Sequence, residues 1–181
     1  TWLLGNEWYK KNDKCFGRIK IFIMKPNTAY LSIGSNLGNR SENIKKCLSH
    51  ISAISIIKAT SSIIETEPFK VSIKQDNFLN LVVKIEYLKD HFELLKDINV
   101  IESKLGRIRS SVRNEPRIID IDIIFFNNLI FSNDNLEIPH PRFKERFFVL
   151  HPLSEISPNF IDPITKKTIK FFVDEANTSS D

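Results

Sequence analysis

The chain has few cysteines and no long apolar run, and these two absences narrow the class of protein. Only two of its 181 residues are cysteine, Cys15 and Cys47, which is too few for a disulfide framework and favours free thiols in a reducing compartment. No apolar run reaches the roughly 20 residues of a membrane-spanning helix. Polar residues interrupt the N-terminal stretch, so a secretory signal peptide is not predicted. We therefore expect a cytoplasmic protein with no membrane partner.

A strong charge of either sign is also missing. Lys and Arg together number 26 and Asp and Glu number 22, so that the net charge is +4. This weakly basic balance fits an anionic substrate but also weak nucleic-acid binding, and charge alone leaves both open. The hydrophobic fraction of 41% is that of an ordinary globular domain. The sequence contains no internal repeat, no low-complexity segment and no sign of a second domain.

Methionine occurs once, at Met24, immediately before the recognisable part of the sequence. We expect Met24 to be the initiator, which would make residues 1–23 an upstream extension foreign to the natural protein, within an N-terminal extension that we bound at residues 1–27. An ordered extra β-strand is the alternative, because isoleucines alternate with other residues over 19–23. The predicted domain covers residues 28–173, and a polar, frayed tail is expected over 174–181.

Periodicity and turn signals predict an α+β fold. The expected order is strand, helix, strand, strand, helix, strand, over residues 29–33, 39–53, 54–64, 78–87, 90–105 and 120–126, with a short helix or turn at 144–150. This is the order of a ferredoxin-like core, a mainly antiparallel sheet flanked by helices. Two successive strands without a helix between them argue against a doubly wound parallel sheet.

Both predicted helices carry a start signal and an apolar stripe. Asn39 and Glu42 have the spacing of a capping box, and Asp90 with Glu93 can cap the second helix. The stripes, spaced by three and four residues, comprise Ile44, Cys47, Leu48 and Ile51 in the first helix and Phe92, Leu95, Ile98, Ile101 and Leu105 in the second.

The most informative segment is Arg-Ile-Ile-Asp-Ile-Asp-Ile-Ile-Phe-Phe at residues 117–126. It predicts a buried central strand on which Asp120 and Asp122 share one face, about 6–7 Å apart along the chain. Neighbouring carboxylates in a sheet interior need positive charge close by. Mg²⁺ supplies it, since it prefers oxygen and takes one or two carboxylates together with substrate phosphates. The alternative is an edge strand carrying two ordinary solvent-facing acids.

Arginines accumulate just before this strand. They are Arg107, Arg109, Arg113 and Arg117. A guanidinium group binds phosphate oxygens through two parallel hydrogen bonds. Acids for a metal beside arginines for phosphate therefore predict a phosphoryl-transfer site. The alternatives are a solvated basic loop or a basic bias at the end of a helix.

Six short motifs follow one another over residues 28–173. They are Ala-Tyr-Leu-Ser-Ile-Gly-Ser-Asn-Leu-Gly at 29–38, Phe-Leu-Asn at 78–80, Leu-Gly-Arg at 105–107, Pro-Arg with Asp-Ile-Asp within 116–122, Pro-His at 139–140 and Arg-Phe-Phe at 146–148. In this order they resemble the 6-hydroxymethyl-7,8-dihydropterin pyrophosphokinase family of folate biosynthesis. The resemblance implies transfer of pyrophosphate from ATP to the dihydropterin hydroxymethyl oxygen, release of AMP, and two Mg²⁺ ions as cofactors.

The resemblance also implies roles for single residues. Asp120 and Asp122 correspond to the metal ligands and, with Arg113 and Arg117, form the expected catalytic set. The expected ATP contacts are Arg107, Arg109, Arg113, Arg117, His140 and Arg146. The expected pterin contacts are Gly34, Thr66, Phe69, Phe78, Asn80 and Phe148. An amide at Asn80 offers both donor and acceptor, and phenyl rings can stack on the pterin. Glu102 is expected to support the arginine loop.

Three other functions compete with this interpretation. A polymerase-β-type nucleotidyltransferase, or another Mg-dependent nucleotidyl or phosphoryl transferase, also combines Gly-Ser with Asp-x-Asp, but there the two elements are close in sequence. An RNA-binding module would suit the charge, yet the RNP motif is absent and acids on a central strand repel RNA. A catalytically impaired family member is the third, because Asn114 and Pro141 stand where the family commonly has Trp and Tyr. We expect a monomer that binds ATP and the dihydropterin and no nucleic acid.

Overall fold

The computed structural model describes residues 25–68, 75–107 and 115–178. Its elements follow the predicted order of six segments from the first strand to the strand at 120–126, with one predicted strand divided in two, and continue into two short strands and two helices. In chain order they are β1 (Asn27–Ser35), α1 (Arg40–Ile54), β2 (Ile56–Thr60), β3 (Ile64–Thr66), β4 (Phe78–Tyr87), α2 (His91–Lys104), β5 (Asp120–Phe126), β6 (Phe131–Ser132), β7 (Glu137–Ile138), a 3-10 turn (Phe143–Glu145), α3 (Phe147–Ile156) and α4 (Ile169–Thr178).

The main sheet has the order β2-β4-β1-β5, with β3 also paired to β4, and every described pair is antiparallel. The ferredoxin-like α+β prediction is therefore confirmed. The single strand predicted over 54–64 is instead two short strands. Ser61 lies between them, where its hydroxyl accepts from the Val82 amide at 2.9 Å and its own amide donates to the Val82 carbonyl at 3.0 Å. These two bonds keep β4 paired across the interruption.

Strand β5 is buried as predicted, but the prediction that it is a central strand is wrong. It pairs with β1 on one side only and is the outer strand of the described ladder. Part of its other edge is covered by the chain that follows, because the His140 amide donates to the Ile124 carbonyl at 3.0 Å. An apolar strand sequence shows burial but does not distinguish a paired edge from one covered by a loop.

Both helix start signals are confirmed. The Asn39 side chain accepts from the Glu42 amide at 3.1 Å, and the Asp90 carboxylate accepts from the amides of Phe92 and Glu93 at 2.9 Å each. These bonds satisfy amide groups that have no partner within the first turn of a helix.

The predicted apolar stripe of α1 agrees with the residues that the helix buries, and the predicted stripe of α2 is wrong in its first turn. Helix α1 buries Ile44, Cys47 and Ile51. Burial, with a smaller contribution from Glu102, raises the pKa of the Cys47 thiol to about 12, so this free cysteine stays protonated at neutral pH. In α2 the buried residue of the first turn is Leu94, whereas Phe92 is 42% exposed.

Cys15 and the extension expected over 1–27 lie outside the described residues, apart from 25–27.

The sheet separates two apolar cores. One face packs on α1 and α2 through residues such as Leu31, Ile33 and Val83. The other packs on α3 and α4 through residues that include Val82 and Phe125. At one end of this second face the helices leave the strands uncovered, and the functional site lies there.

The C-terminal part is more ordered than the sequence predicts. Helix α3 extends beyond the predicted 144–150, and α4 was not predicted at all. Residues 174–178, assigned to a polar tail, complete α4, which buries Ile169 and Phe172. An apolar pattern of barely two turns is too short to identify such a helix. Among the described residues, no helix is long and apolar enough to cross a membrane.

Candidate active site

The strand register brings the predicted site residues of three strands side by side. Gly34 on β1 lies directly between Asn80 on β4 and Asp120 on β5. Two residues earlier on β1, Ser32 lies opposite Asp122. Directly opposed residues project from the same face of a sheet. An amide group and two carboxylates therefore face the same space, and only a glycine hydrogen lies between the Asn80 amide and the Asp120 carboxylate.

Gly34 is a glycine because its neighbours leave no room for a side chain. A Cβ atom built there would lie 2.9 Å from Oδ1 of Asn80 and 3.5 Å from Cδ1 of Phe78. The first distance is shorter than a carbon–oxygen van der Waals contact. The prediction that Gly34 belongs to the site is consistent with this close approach, since any larger residue would displace the Asn80 amide.

A cavity of about 280 Å³ opens over this face of the sheet. The structure brings together in its wall eleven of the predicted residues, namely Gly34, Thr66, Phe78, Asn80, Arg107, Arg117, Asp120, Asp122, His140, Arg146 and Phe148. Three other predicted residues, Phe69, Arg109 and Arg113, lie outside the described residues, as does Asn114. The wall also includes residues that the sequence did not single out: Ser32, Glu67, Gln75, Arg142 and Glu145.

Both carboxylates are paired with arginines. Asp120 contacts Arg107 through Oδ1 at 2.6 Å and Arg117 through Oδ2 at 2.8 Å. Asp122 contacts Arg146 at 2.9 Å through Oδ2. The Asp120 side chain is 24% exposed and the Asp122 side chain is 34% exposed, so both carboxylates remain accessible from the cavity. This pairing rules against the alternative of two ordinary solvent-facing acids.

His140 lies beside the second carboxylate as a neutral ring at pH 7. The pKa of His140 is lower than the ordinary value for histidine, chiefly because the ring is buried. Asp122 raises this pKa, whereas Arg146 and Arg142 lower it further. Its Nδ1 accepts from the Arg142 amide at 3.1 Å, so the neutral ring carries its proton on Nε2. That atom lies 3.7 Å from Oδ2 of Asp122 and 3.4 Å from the Arg146 guanidinium.

Glu102 supports this cluster from α2, as the sequence predicts. Its carboxylate is 2% exposed, forms an ion pair with Arg107 and accepts from the Ile121 amide of β5 at 2.8 Å. Burial alone would lower the pKa of Arg107, but Asp120 and Glu102 raise it above its ordinary value. Arg107 is therefore held as a permanent cation between an acid on α2 and an acid on β5.

Asn36 supports the backbone around the site, and sequence reasoning did not single it out although it belongs to the first motif. It is 1% exposed. Its side-chain Oδ1 accepts a hydrogen bond from the Arg117 backbone amide at 2.8 Å, and its backbone amide donates to the Arg117 carbonyl at 3.2 Å. Its Nδ2 donates to Oε1 of Gln75 at 2.7 Å and to the Asp76 carbonyl at 3.2 Å. A polar residue directly after a buried strand is the signal that could have identified it.

The cavity has two chemically different parts. The neutral half comprises Gly34, Thr66, Phe78 and Asn80. The charged half comprises Arg107, Arg117, Asp120, Asp122, His140 and Arg146. In the neutral half the Asn80 amide donates to Oγ1 of Thr66 at 2.8 Å, which fixes the orientation of the amide. Phe148 lies at the boundary, with its ring 5.7 Å from the Arg146 guanidinium carbon.

The donor set of the charged half suits a hard cation. Within the described segments, no cluster of three or more His, Cys, Asp or Glu side chains has the arrangement of a metal site. Two carboxylates from one strand nevertheless match the way Mg²⁺ is bound in nucleotide enzymes, where water and substrate phosphates supply the other ligands. Asp120 and Asp122 therefore fit such an ion together with a phosphate-bearing substrate.

Comparison with known proteins identifies the family. A family model described as 7,8-dihydro-6-hydroxymethylpterin-pyrophosphokinase matches residues 30–158. The chain is 47% identical over 138 residues to Folic acid synthesis protein FOL1 of Dictyostelium discoideum, covering 76% of this chain and 20% of that protein. It is 42% identical over 132 residues to 2-amino-4-hydroxy-6-hydroxymethyldihydropteridine pyrophosphokinase of Bacillus subtilis, covering 72% of this chain and 78% of that one.

Solved structures agree on the fold. Plasmodium falciparum HPPK-DHPS superposes with a TM-score of 0.69 at 17% identity, over 85% of this chain and 45% of that one. The chain spans about a fifth of the length of the folic acid synthesis proteins that it matches. By the family model and by its identity to the Bacillus subtilis protein, the chain belongs to the 7,8-dihydro-6-hydroxymethylpterin-pyrophosphokinase family.

Proposed function

We propose that this chain transfers the pyrophosphoryl group of ATP to 6-hydroxymethyl-7,8-dihydropterin, giving AMP and the pterin diphosphate for folate biosynthesis. The observation that carries the proposal is the register at Gly34, with Asn80 on one side and Asp120 on the other. This register supports the proposal, because an amide that could bind a flat heterocycle and a carboxylate of the charged half lie on the two strands that flank Gly34. Family membership supports the same reaction.

In this reaction the hydroxymethyl oxygen forms a bond to the β-phosphorus of ATP. The bond from the β-phosphorus to the oxygen that bridges it to the α-phosphorus breaks, AMP leaves with that oxygen, and the hydroxyl proton is released. Such a transfer depends on alignment and on neutralised charge, and it needs no covalent nucleophile from the protein. A cavity with a neutral half and a charged half can provide both.

The charged half would receive the triphosphate. Asp120 and Asp122 are the residues that would hold Mg²⁺, for which we propose two ions, and the bound metal supplies positive charge to the phosphate oxygens. Arg107, Arg117 and Arg146 already face the carboxylates. Once a nucleotide enters, these guanidinium groups are placed to donate to phosphate oxygens. Arg109 and Arg113 are proposed phosphate ligands from the sequence alone.

The neutral half would receive the pterin. The Asn80 side chain offers a carbonyl and an amide to the mixed donor and acceptor edge of the ring. Phe78 and Phe148 line the cavity and are suited to stacking on its faces. The glycine hydrogen at Gly34 leaves the space in which the hydroxymethyl group can reach the phosphates.

The direct test is to incubate the protein with ATP, Mg²⁺ and 6-hydroxymethyl-7,8-dihydropterin and to identify the nucleotide product. We expect AMP, formed only when the pterin is present and lost in Asp120→Asn. Asp134→Asn, at an exposed turn, is the matched control and should keep full activity. ADP would indicate transfer of a single phosphoryl group, and free pyrophosphate would indicate a nucleotidyltransferase. Either product would overturn the proposal, and no product would favour an impaired family member.

Other expectations from the sequence stay predictions. They are a monomeric state, a cytoplasmic location and the absence of nucleic acid among the partners. Light scattering of the purified chain would test the first, and a filter-binding assay with single-stranded RNA would test the last. The carboxylates that face the cavity favour a phosphorylated small molecule with its metal over an extended polyanion.

A further inference from the structure

A buried carboxylate lies outside the cavity, in the turn that leads to α4. Asp162 is fully buried. It accepts from the Thr165 hydroxyl at 2.7 Å and from the Ile164 amide at 3.1 Å. Its own backbone closes the turn, because its carbonyl accepts from the Lys166 amide and its amide donates to the Lys167 carbonyl, both at 2.9 Å. The carboxylate is therefore fixed by its own turn, independently of any cation.

Lys144 supplies the cation from a different part of the chain. It belongs to the 3-10 turn, and its Nζ lies 3.1 Å from Oδ2 of Asp162. The ammonium group also lies over two rings, 5.4 Å from the centre of Phe143 and 5.0 Å from that of Phe172, an arrangement that is itself attractive. Phe143 in turn packs on Phe125 of β5, with ring centres 4.9 Å apart. The 3-10 turn is thus tied to the C-terminal segment and to the sheet.

Arg146 follows directly after this turn and reaches the charged half of the cavity. Its guanidinium contacts Asp122, and its carbonyl accepts from the amides of Val149 and Leu150 at 2.9 Å each. No side chain caps α3 at this position. The direction of the Arg146 side chain therefore depends on where the 3-10 turn before it is held.

We infer that Lys144 and Asp162 form an ionic anchor that positions Arg146 for the nucleotide. This inference rests on the proposed function for the identity of the ligand. Asp162 lies beyond residue 158, where the match to the family model ends, so the chain after the matched region takes part in building the site. The anchor acts mainly on the charged half, because Arg146 lies there, whereas the strands of the neutral half include no residue from the 3-10 turn or from α4. Phe148, whose ring lies 5.7 Å from the Arg146 guanidinium carbon, is a proposed pterin contact that follows the same turn.

The test compares the affinities of the two ligands in two variants. Lys144→Met keeps the length and the apolar stem of the side chain and removes its charge, and Asp162→Asn keeps the shape of the carboxylate. The Kd of a non-hydrolysable ATP analogue with Mg²⁺ and the Kd of the pterin are each measured by calorimetry. We expect nucleotide affinity to fall by about five- to a hundredfold, as misplacement of a binding group does. Pterin affinity should fall less, because among the described pterin contacts only Phe148 follows the displaced turn.

Two controls separate positioning from general destabilisation. Lys144→Arg retains a cation at the same place and should restore most of the nucleotide affinity. Tyr87→Phe removes a 2.6 Å hydrogen bond to Asp97 at the end of β4 away from the cavity. It should lower the midpoint of thermal unfolding, measured alongside, without changing either Kd. All titrations are made well below the lowest unfolding midpoint.

The two affinities and the unfolding midpoint together decide whether Lys144 and Asp162 position Arg146. A loss of nucleotide affinity clearly larger than the loss of pterin affinity, together with non-additive effects in the double variant, supports the anchor. An equal loss for both ligands, or a fall in the unfolding midpoint with both affinities intact, overturns it and leaves Lys144 and Asp162 with a structural role only. Failure of the proposed function would be seen separately, as a wild-type protein that binds neither ligand or that releases a product other than AMP.

Discussion

The two halves of the cavity lie side by side, the neutral half on β1, β3 and β4 and the charged half beside β5, yet they are stabilised in different ways. In the neutral half the polar groups satisfy each other locally, as Asn80 and Thr66 do on adjacent strands, and shape at Gly34 sets the fit. In the charged half Arg107, Arg117 and Arg146 each meet a carboxylate of β5. From this comparison we expect one half to select its ligand by shape and hydrogen bonding, and the other by exchanging ionic partners.

The difference has a structural origin. The neutral half is made from strand residues whose directions follow from the register of β1, β3 and β4. The charged half takes its acids from β5 but its arginines from the end of α2, from the segment before β5 and from the residue before α3. A change in the neutral half should therefore have local effects, whereas a change in the charged half should spread to several segments.

The largest expected effect is that of Asp122→Asn. Removing this charge leaves Arg146 unpaired and takes away one of the two oxygen ligands proposed for the metal. Turnover should fall by about 10²–10³-fold, the scale of losing one electrostatic contact to the transition state, while the Kd of the pterin stays the same. Steady-state kinetics and pterin titration measure the two effects, with Asp134→Asn as the control. Unchanged turnover would show that the reaction does not need this charge.

A smaller effect confined to the neutral half is expected from Gly34→Ala. The new Cβ would lie 2.9 Å from Oδ1 of Asn80 and would push the amide from its hydrogen bond. Pterin binding should weaken by about 1–3 kcal/mol, the cost of a misplaced buried polar group, and nucleotide binding should be unaffected. In an Asn80→Ala background the same substitution should cost little, because the atom it meets is gone. Additive costs would contradict the proposed contact.

Asn36→Ala should affect both halves, because Asn36 joins the Arg117 backbone to Gln75 and Asp76. The Arg117 amide would lose its acceptor, at a cost of about 1–3 kcal/mol in the free energy of unfolding. Both ligand affinities should fall. The loss of pterin affinity should be smaller than in Gly34→Ala, and the loss of nucleotide affinity should be smaller than in a substitution of a charged-half residue. Urea unfolding and the two titrations measure these effects, with the exposed Asn128→Ala as control. Loss of one affinity alone would show that Asn36 serves a single half.

The smallest effect expected is a pH dependence of stability that comes from Asp162. Burial raises the pKa of its carboxyl, but the Thr165 hydroxyl, the Ile164 amide and Lys144 together hold it below the ordinary value. A group with a lowered pKa in the folded state adds stability above the unfolded-state pKa of about 3.9, and this stability is lost as the pH falls through the folded-state pKa.

The stability difference between wild type and Asp162→Asn should therefore be largest near neutral pH and shrink in acid. Urea unfolding of both proteins at several pH values between neutrality and the acid limit measures it. Asp134→Asn should show no comparable change. A stability difference that stays constant with pH would mean that the charge of the Asp162 carboxylate does not stabilise the fold. The contact between Lys144 and Asp162 would then stabilise the 3-10 turn by packing alone.

The sequence predicted local features well wherever the signal lies within a few residues. The bounds of β4 and β5 agree with the predicted 78–87 and 120–126, because each strand is an apolar run that ends at turn residues. The shared direction of Asp120 and Asp122 follows from the period of two in any strand. Asn39 and Asp90 cap their helices as predicted, since capping involves only the next three residues. Motif order led to eleven of the residues that line the cavity.

Only the tertiary structure decided the remaining features, since these depend on residues that are distant in sequence. Asn36 meets Arg117 across 81 positions, and the partner of Lys144 is in a turn that no local pattern connects to it. The edge position of β5, the exposure of Phe92 and the burial that stabilises α4 depend in the same way on what packs against each element. Periodicity along a chain shows which side chains share a face, and the packing of distant segments determines what that face contacts.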